Sequence, residues 1–292
     1  MRISGLRMVG IAAALLAAVG TPILIAQESV SAGITLQDLL QGYKNPVRWL
    51  NFSGDYSGQR HSPLKQITAA NAHTLTAQWA FQTGVIPRRG FEGTPLVADG
   101  VMYLTGPFNN AWALDAQTGR PFWRYQRELP ADLTYGSISP VNRGFGMLGN
   151  RLFMLTLDAH LVALDARTGT VLWDSVMADH KIGYAATGAP LVVKDKVIVG
   201  ISGGDFPTRG FIDAYDPATG KRIWRFWTVP GPGEPGSETW PGSPGPGTVQ
   251  NRQIRLPVAG SYASMNPRVG KSPPEMPTIT LSLTTSGAPV AA

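Results

Sequence analysis

An eleven-residue phrase recurs three times in this 292-residue chain, as ALDAQTGRPFW (113–123), ALDARTGTVLW (163–173) and AYDPATGKRIW (214–224). The closing tryptophans, Trp123, Trp173 and Trp224, stand 50 and then 51 positions apart. That period limits the fold more than any other feature, because a unit of about 50 residues is one supersecondary element that buries its faces only against its neighbours.

Each phrase reads as a hairpin. An alternating apolar strand ends at Asp115, Asp165 or Asp216, whose carboxylate can accept hydrogen bonds from the turn backbone. Gly119, Gly169 and Gly220 then supply a positive-φ position. The following strand carries the tryptophan, whose ring can wedge between units while its N–H caps a backbone carbonyl. Upstream of the phrases lie PLVADGVMYLTG (95–106), GMLGNRLFMLTLD (146–158) and PLVVKDKVIVGISG (190–203). There Asp99-Gly100, Gly149-Asn150 and Lys194-Asp195 separate apolar runs as a second set of hairpin turns. Four short strands per unit is the make-up of a β-propeller blade. The sequence therefore predicts an all-β chain with three blades and a fragment of another, Trp79 being the strand tryptophan of the fragment. Residues 66–79 (QITAANAHTLTAQW) also fit an amphipathic helix.

Composition agrees. Apolar residues make up 43% and charged residues 15%, while 34 Gly and 24 Pro imply many turns. The net charge of +6 comes from scattered Lys and Arg, without the basic stripe or motif that nucleic-acid binding would need. With no cysteine, disulfides and thiolate metal sites are excluded. Residues 1–32 read as an export signal. Arg2 and Arg7 precede an uncharged run from Met8 to Ala26, and a cut after Ala32 has small residues, Val30 and Ala32, at its specificity positions. The apolar run at 8–26 could instead stay as a membrane anchor, although Thr21 and Pro22 within it favour cleavage.

Residues 45–242 resemble the N-terminal portion of the pyrroloquinoline quinone (PQQ)-dependent alcohol dehydrogenases. The resemblance rests on FEGTPLVADGVMYLTGPFNNAWALDAQTGRPFW, VNRG, TLDAHLVALDARTGTVLW and VVKDKVIVGISGGDFPTRGFIDAYDPATGKRIWRFW. It implies an eight-bladed propeller, PQQ with a calcium or lanthanide ion, an alcohol, aldehyde or sugar as substrate, a cytochrome c as electron acceptor, and a periplasmic location. It also implies roles for residues that match its motifs. Glu92 of EGTP stands where a glutamate touches the quinone edge, and Arg143 of VNRG where an arginine reaches the reactive oxygens. Thr187 of YAATGAP, with Ser202, Gly203 and Gly204 of ISGGD, stands where hydroxyls and backbone N–H groups bond the tricarboxylate. GGDF at 203–206 could suggest a nucleotide cyclase, but it follows a blade strand, KVIVGIS, where a cyclase needs an α/β setting. The resemblance instead makes Asp205 the metal-binding acid, in place of a glutamate one methylene longer; a hard cation accepts either carboxylate.

The chain departs from the family in two ways. Ser137 and Ile138 replace a pair of adjacent cysteines that many relatives place beside the quinone. The family wording also ends at Gly242: all eight Trp and all ten Phe precede Ser243, and residues 243–292 hold one aromatic, Tyr262, with eight Pro. That stretch is expected to be disordered, arising either from a shifted reading frame or truncation or as a real tail. No phrase matches the tryptophan under the quinone, the asparagine metal ligand, the catalytic aspartate or the lysine or arginine on the quinone oxygens, so no catalytic residue is assigned. Two functions stay open: the front part of an exported quinoprotein dehydrogenase, inactive alone, or a non-catalytic propeller segment that binds other envelope proteins. The half-site residues favour the first, since a scaffold has no use for them.

Overall fold

The computed structural model describes residues 33–85, 90–133, 140–202, 208–231 and 233–237, and the backbone of 278–281. Within these, three four-stranded antiparallel sheets follow one another along the chain, each a simple meander. The first holds β2 (Leu96–Ala98), β3 (Val101–Gly106), β4 (Asn110–Asp115) and β5 (Pro121–Gln126). The second holds β6 (Gly146–Leu148), β7 (Arg151–Leu155), β8 (His160–Asp165) and β9 (Val171–Val176). The third holds β10 (Leu191–Val193), β11 (Lys196–Gly200), β12 (Phe211–Tyr215) and β13 (Arg222–Trp227). These are the three predicted blades, with strands where the hairpin patterns put them.

The turns form for the expected reasons. Asp99 and Gly100 both take positive φ between β2 and β3, as a type I′ turn requires. At the phrase turns, the Asp115 carboxylate accepts from the backbone N–H of Gln117 and Thr118, each at 2.9 Å, and Gly119 sits at φ +71°. Asp165 and Asp216 repeat the arrangement, followed by Gly169 at +72° and Gly220 at +70°. A register shift recurs just before each turn, at Ala113/Leu114, Ala163/Leu164 and Ala214/Tyr215, so the shared phrase specifies a shared bulge.

The tryptophans bind the blades to one another. Trp123 Nε1 donates to Ala166 O at 3.0 Å and Trp173 Nε1 to Pro217 O at 3.2 Å, each carbonyl lying in the phrase turn of the next blade. Each ring also covers that turn's glycine: Trp79 lies on Gly119, Trp123 on Gly169 and Trp173 on Gly220. A Cβ on Gly169 would come within 2.7 Å of the Trp123 ring. The glycines therefore serve close approach as well as positive φ, a second constraint that the sequence reading had not separated from the first.

One apolar cluster runs through all three sheets, from Leu96 through Phe145, Phe153 and Leu164 to Val197, Phe211 and Tyr215, all buried. Polar clasps add to it. Arg127, after β5, pairs with buried Asp158 in the β7–β8 turn at 2.7 Å and with Asp174 on β9 at 2.6 Å. Arg225 on β13 holds the fully buried Asp213 through two bonds of 2.7 Å and donates to Met177 O at the end of the second blade.

The chain before the blades packs on their first strands. Helix α1 (Leu36–Gln41) starts with a capping box between Thr35 and Asp38. Trp49 and Val97 exchange two backbone bonds of 2.9 Å, Ile34 pairs with Gly149, and the Tyr56 hydroxyl donates to Val192 O. One segment thus satisfies otherwise unpaired backbone on β2, β10 and the β6–β7 turn.

The alternative of a helix over 66–79 does not hold: a single 3-10 turn covers Ala72–Thr74, and β1 (Trp79–Gln82) is a strand, as the reading of Trp79 required. Its apolar face packs with Met102, Leu104, Trp112 and Leu114. β1 pairs antiparallel with β14 (Thr278–Leu281). The alternating sequence TITL has the β-branched content of a strand and meets an open strand edge. The rest of 243–292 and the proposed signal at 1–32 lie outside the described residues.

Candidate functional site

In an antiparallel meander, the start of the first strand, the turn between the second and third strands and the end of the fourth all lie at one end of the sheet. Glu92, Arg143 and Thr187 all occupy the few residues before a first strand, β2, β6 and β10 respectively. Backbone bonds tie these segments in series: Thr94 N donates to Arg143 O and Arg143 N to Thr187 O, both at 3.0 Å. Ser202 follows β11, and its N–H donates to Ala185 O at 2.9 Å.

The side chains then form one continuous chain. Arg143 Nη2 lies 2.9 Å from Glu92 Oε2, and Arg143 Nη1 donates to Thr187 Oγ1 at 2.6 Å. Thr187 Oγ1 and Ser202 Oγ are 3.0 Å apart. Thr187 is buried, whereas the side chains of Arg143 and Glu92 are 43% and 36% exposed. The buried hydroxyl anchors the guanidinium, and part of the charged pair stays exposed. The guanidinium has only donors, so Thr187 Oγ1 accepts; Thr187 can pass its own proton to Ser202, leaving the Ser202 hydroxyl proton for an acceptor on a ligand.

Four of the seven residues assigned from sequence are thus brought together. Gly203, Gly204 and Asp205 lie outside the described residues, as do Ser137 and Ile138. Among the described residues no group of three or more His, Asp or Glu forms a candidate metal centre.

Three supporting residues escaped the sequence reading. Asn142 is buried; its Oδ1 accepts from Gly144 N at 3.0 Å and its Nδ2 donates to Leu155 O at 2.7 Å, which fixes the backbone on both sides of Arg143. The Asn-x-Gly spacing was the available signal, since an asparagine side chain commonly bonds the N–H two residues on. Gly144 takes φ +137°. A Cβ on Gly93 would lie 2.6 Å from Thr105 O, so only glycine lets the Glu92 segment lie this close to β3.

Repeated four-stranded blades locked by tryptophan define the molecule as part of a β-propeller, with a polar half-site where successive first strands begin. The sequence matches the family described as the PQQ glucose/ethanol/alcohol dehydrogenase β-propeller domain over residues 49–252, and the chain belongs to that family. The match runs past Gly242, where the quoted motifs end. The chain is 42% identical over 200 residues to the quinoprotein alcohol dehydrogenase PedH of Pseudomonas putida, covering 68% of this chain and 33% of that protein. It is 37% identical over 229 residues to the 1-butanol dehydrogenase (quinone) of Thauera butanivorans, covering 72% and 37%. Among solved structures, the quinohemoprotein alcohol dehydrogenase ADHIIG of Pseudomonas putida superimposes with a TM-score of 0.65 at 41% identity, over 68% of this chain and 29% of that one. A europium-containing methanol dehydrogenase gives 0.63 at 38% identity, over 67% and 34%. The chain therefore spans about a third of the length of these relatives.

Proposed function

We propose that this chain carries the front half of a PQQ site in an alcohol-oxidising quinoprotein, and that it does not turn over substrate alone. The observation that carries the reading is the unbroken chain from Glu92 through Arg143 and Thr187 to Ser202. One guanidinium and two hydroxyls converging beside a carboxylate suit a planar ligand rich in anionic oxygens, so the donor set fits PQQ. The quinone, when bound, supplies the two-electron acceptor for oxidation of a hydroxyl-bearing carbon.

Arg143 would hold a fixed positive charge against the ligand's oxygens, which favours negative charge building up there. Thr187 would keep the guanidinium aimed, and Ser202 would offer a hydroxyl proton. Asp205 would complete the site as a ligand for calcium or a lanthanide, its carboxylate being a hard oxygen donor. The base that must take the hydroxyl proton of the substrate has no counterpart among the assigned residues. In the same reading residues 1–32 direct export to the periplasm, by a cleaved signal or a retained anchor at 8–26, and electrons leave to a cytochrome c; the quinohemoprotein names of two relatives support such an acceptor.

The test is equilibrium binding of PQQ to the full chain with calcium or lanthanum present, followed by quenching of protein fluorescence, together with dye reduction on ethanol. Binding that Arg143→Ala weakens, with no dye reduction, is the expected result. Quinone-dependent dye reduction by the 292-residue chain would overturn the claim of inactivity, and unaltered binding by the Arg143→Ala variant would overturn the site.

A further inference from the structure

We infer that the end of the blades opposite the half-site is a docking surface for an anionic lipid membrane. The inference concerns that end alone and does not depend on any cofactor.

The meander fixes which residues share that end. The turns between first and second strands and between third and fourth strands lie there, away from Glu92, Arg143 and Thr187. Counted with their flanking residues (99–100, 115–122, 149–151, 165–170, 194–196 and 216–222), these turns hold seven Lys or Arg and five Asp. Arg48 bonds Asp99 at the same end, and its segment, 38–48, adds Lys44 and Arg48 against Asp38. The described connections at the site end (90–95, 107–109, 127–133, 140–145, 156–159, 177–190, 201–202, 208–210, 228–231 and 233–237) hold six Asp or Glu and four Lys or Arg. Charge is thus divided along the strand direction, positive at the far end and negative around the half-site.

Exposed apolar side chains accompany the cations. Phe122, Leu172 and Ile223 each stand one residue before a phrase tryptophan, at the start of the fourth strand, and are 48%, 47% and 47% exposed. Phe122 and Leu172 stay exposed with the next blade already packed on Trp123 and Trp173, so the joint between blades does not use them. The turn before each of the three carries an exposed cation, Arg120, Arg167 or Lys221, and the Arg120 guanidinium lies 5.6 Å from the Phe122 ring centroid. Leu40 and Val47, which flank exposed Lys44 in sequence, are more exposed still.

The pairing of cation with apolar side chain, repeated blade after blade, selects the occupant. At an anionic bilayer the lipid phosphates meet the cations while the acyl boundary takes the apolar groups. An acidic protein surface would match the charge but leave the apolar side chains in water. Docking by this end leaves the half-site facing away from the lipid.

The test is co-sedimentation of the full chain with vesicles of phosphatidylcholine alone and of phosphatidylcholine mixed with phosphatidylglycerol. Partitioning should be at least about tenfold stronger onto the mixed vesicles at low salt, and should fall at least about tenfold at high salt. Arg120→Glu, Arg167→Glu and Lys221→Glu combined reverse three exposed cations outside the half-site and should weaken it by about a hundredfold. Phe122→Ser with Leu172→Ser leaves the charge unchanged and should weaken it by about tenfold. Tryptophan fluorescence checks that the variants fold; if either does not, the lipid and salt dependence of the parent chain still decides. Equal partitioning onto the two kinds of vesicle would overturn the proposal. Binding that survives both high salt and the triple reversal would assign attachment to the apolar run at 8–26 and overturn it too. So would saturable binding of polyglutamate without binding of vesicles, which would make an acidic protein the occupant.

Discussion

Arg143 Nη1 donates a 2.6 Å hydrogen bond to the buried Thr187 Oγ1, joining two residues 44 positions apart at the start of successive blades. The bond fixes the direction of the only guanidinium among the described residues of the half-site. Thr187→Val removes the acceptor at nearly constant volume and leaves Arg143 free to swing. PQQ affinity of the chain should fall by about tenfold, roughly 1–2 kcal/mol for a lost charge-assisted bond. Thr187→Ser should bind like the parent. Equilibrium dialysis of PQQ against the three proteins checks both.

The tryptophan-on-glycine joints make a stability prediction with an internal control. Gly100 and Gly169 both take positive φ, but a Cβ on Gly100 meets open space while one on Gly169 meets the Trp123 ring. Gly100→Ala should cost about 1–2 kcal/mol of backbone strain. Gly169→Ala should cost that plus about 1–3 kcal/mol of overpacking. Urea unfolding of the two variants reads the difference; equal midpoints would mean that the ring yields freely.

Acidification should loosen the blades, and Asp158 should account for part of the loss. Burial by itself pushes its carboxyl up, but hydrogen bonds from Arg127 and Thr156 and the charge of Arg127 outweigh this and hold it below the usual range. A carboxyl depressed in the folded state contributes stability above its unfolded value of about 3.9, and loses it as pH falls through the folded value. The turn carboxylates Asp115 and Asp216 are lowered by bonds from Thr118 and Thr219 and act in the same direction. Urea midpoints measured from pH 7 downward should therefore drop below about pH 4. Asp158→Asn should be less stable at pH 7 and show a shallower fall.

The pairing of β1 with β14 predicts protection at Trp79–Gln82. Backbone amides that β14 engages should exchange slowly in the full chain and faster once residues 278–281 are removed. Hydrogen exchange resolved by mass spectrometry over 75–85 measures this, and unchanged exchange after the deletion would contradict the pairing. The open edge left by the deletion should also raise aggregation.

The legibility of the fold follows from where its information lies. Asp115, Gly119 and Trp123 act within eleven residues, so their hairpin chemistry could be read directly, and its threefold use announced stacked blades. The half-site was legible only through motif resemblance: nothing local in EGTP, VNRG or ATGAP says that Glu92, Arg143 and Thr187 touch. Asn142 and Gly93 were missed because their partners, Leu155 O and Thr105 O, stand 13 and 12 positions away on the middle strands.

Sequence by itself determined the strands, the turns, the repeat and the number of blades, because backbone preference and side-chain alternation act over a few residues. Tertiary structure alone decided the rest. Stacking the blades set each tryptophan on its neighbour's glycine, brought four residues from separate segments into one polar chain, and gave β14 an edge to pair with. The physical reason is that such contacts depend on the register between units, which is set by burial of the shared apolar core and is not encoded in any single phrase.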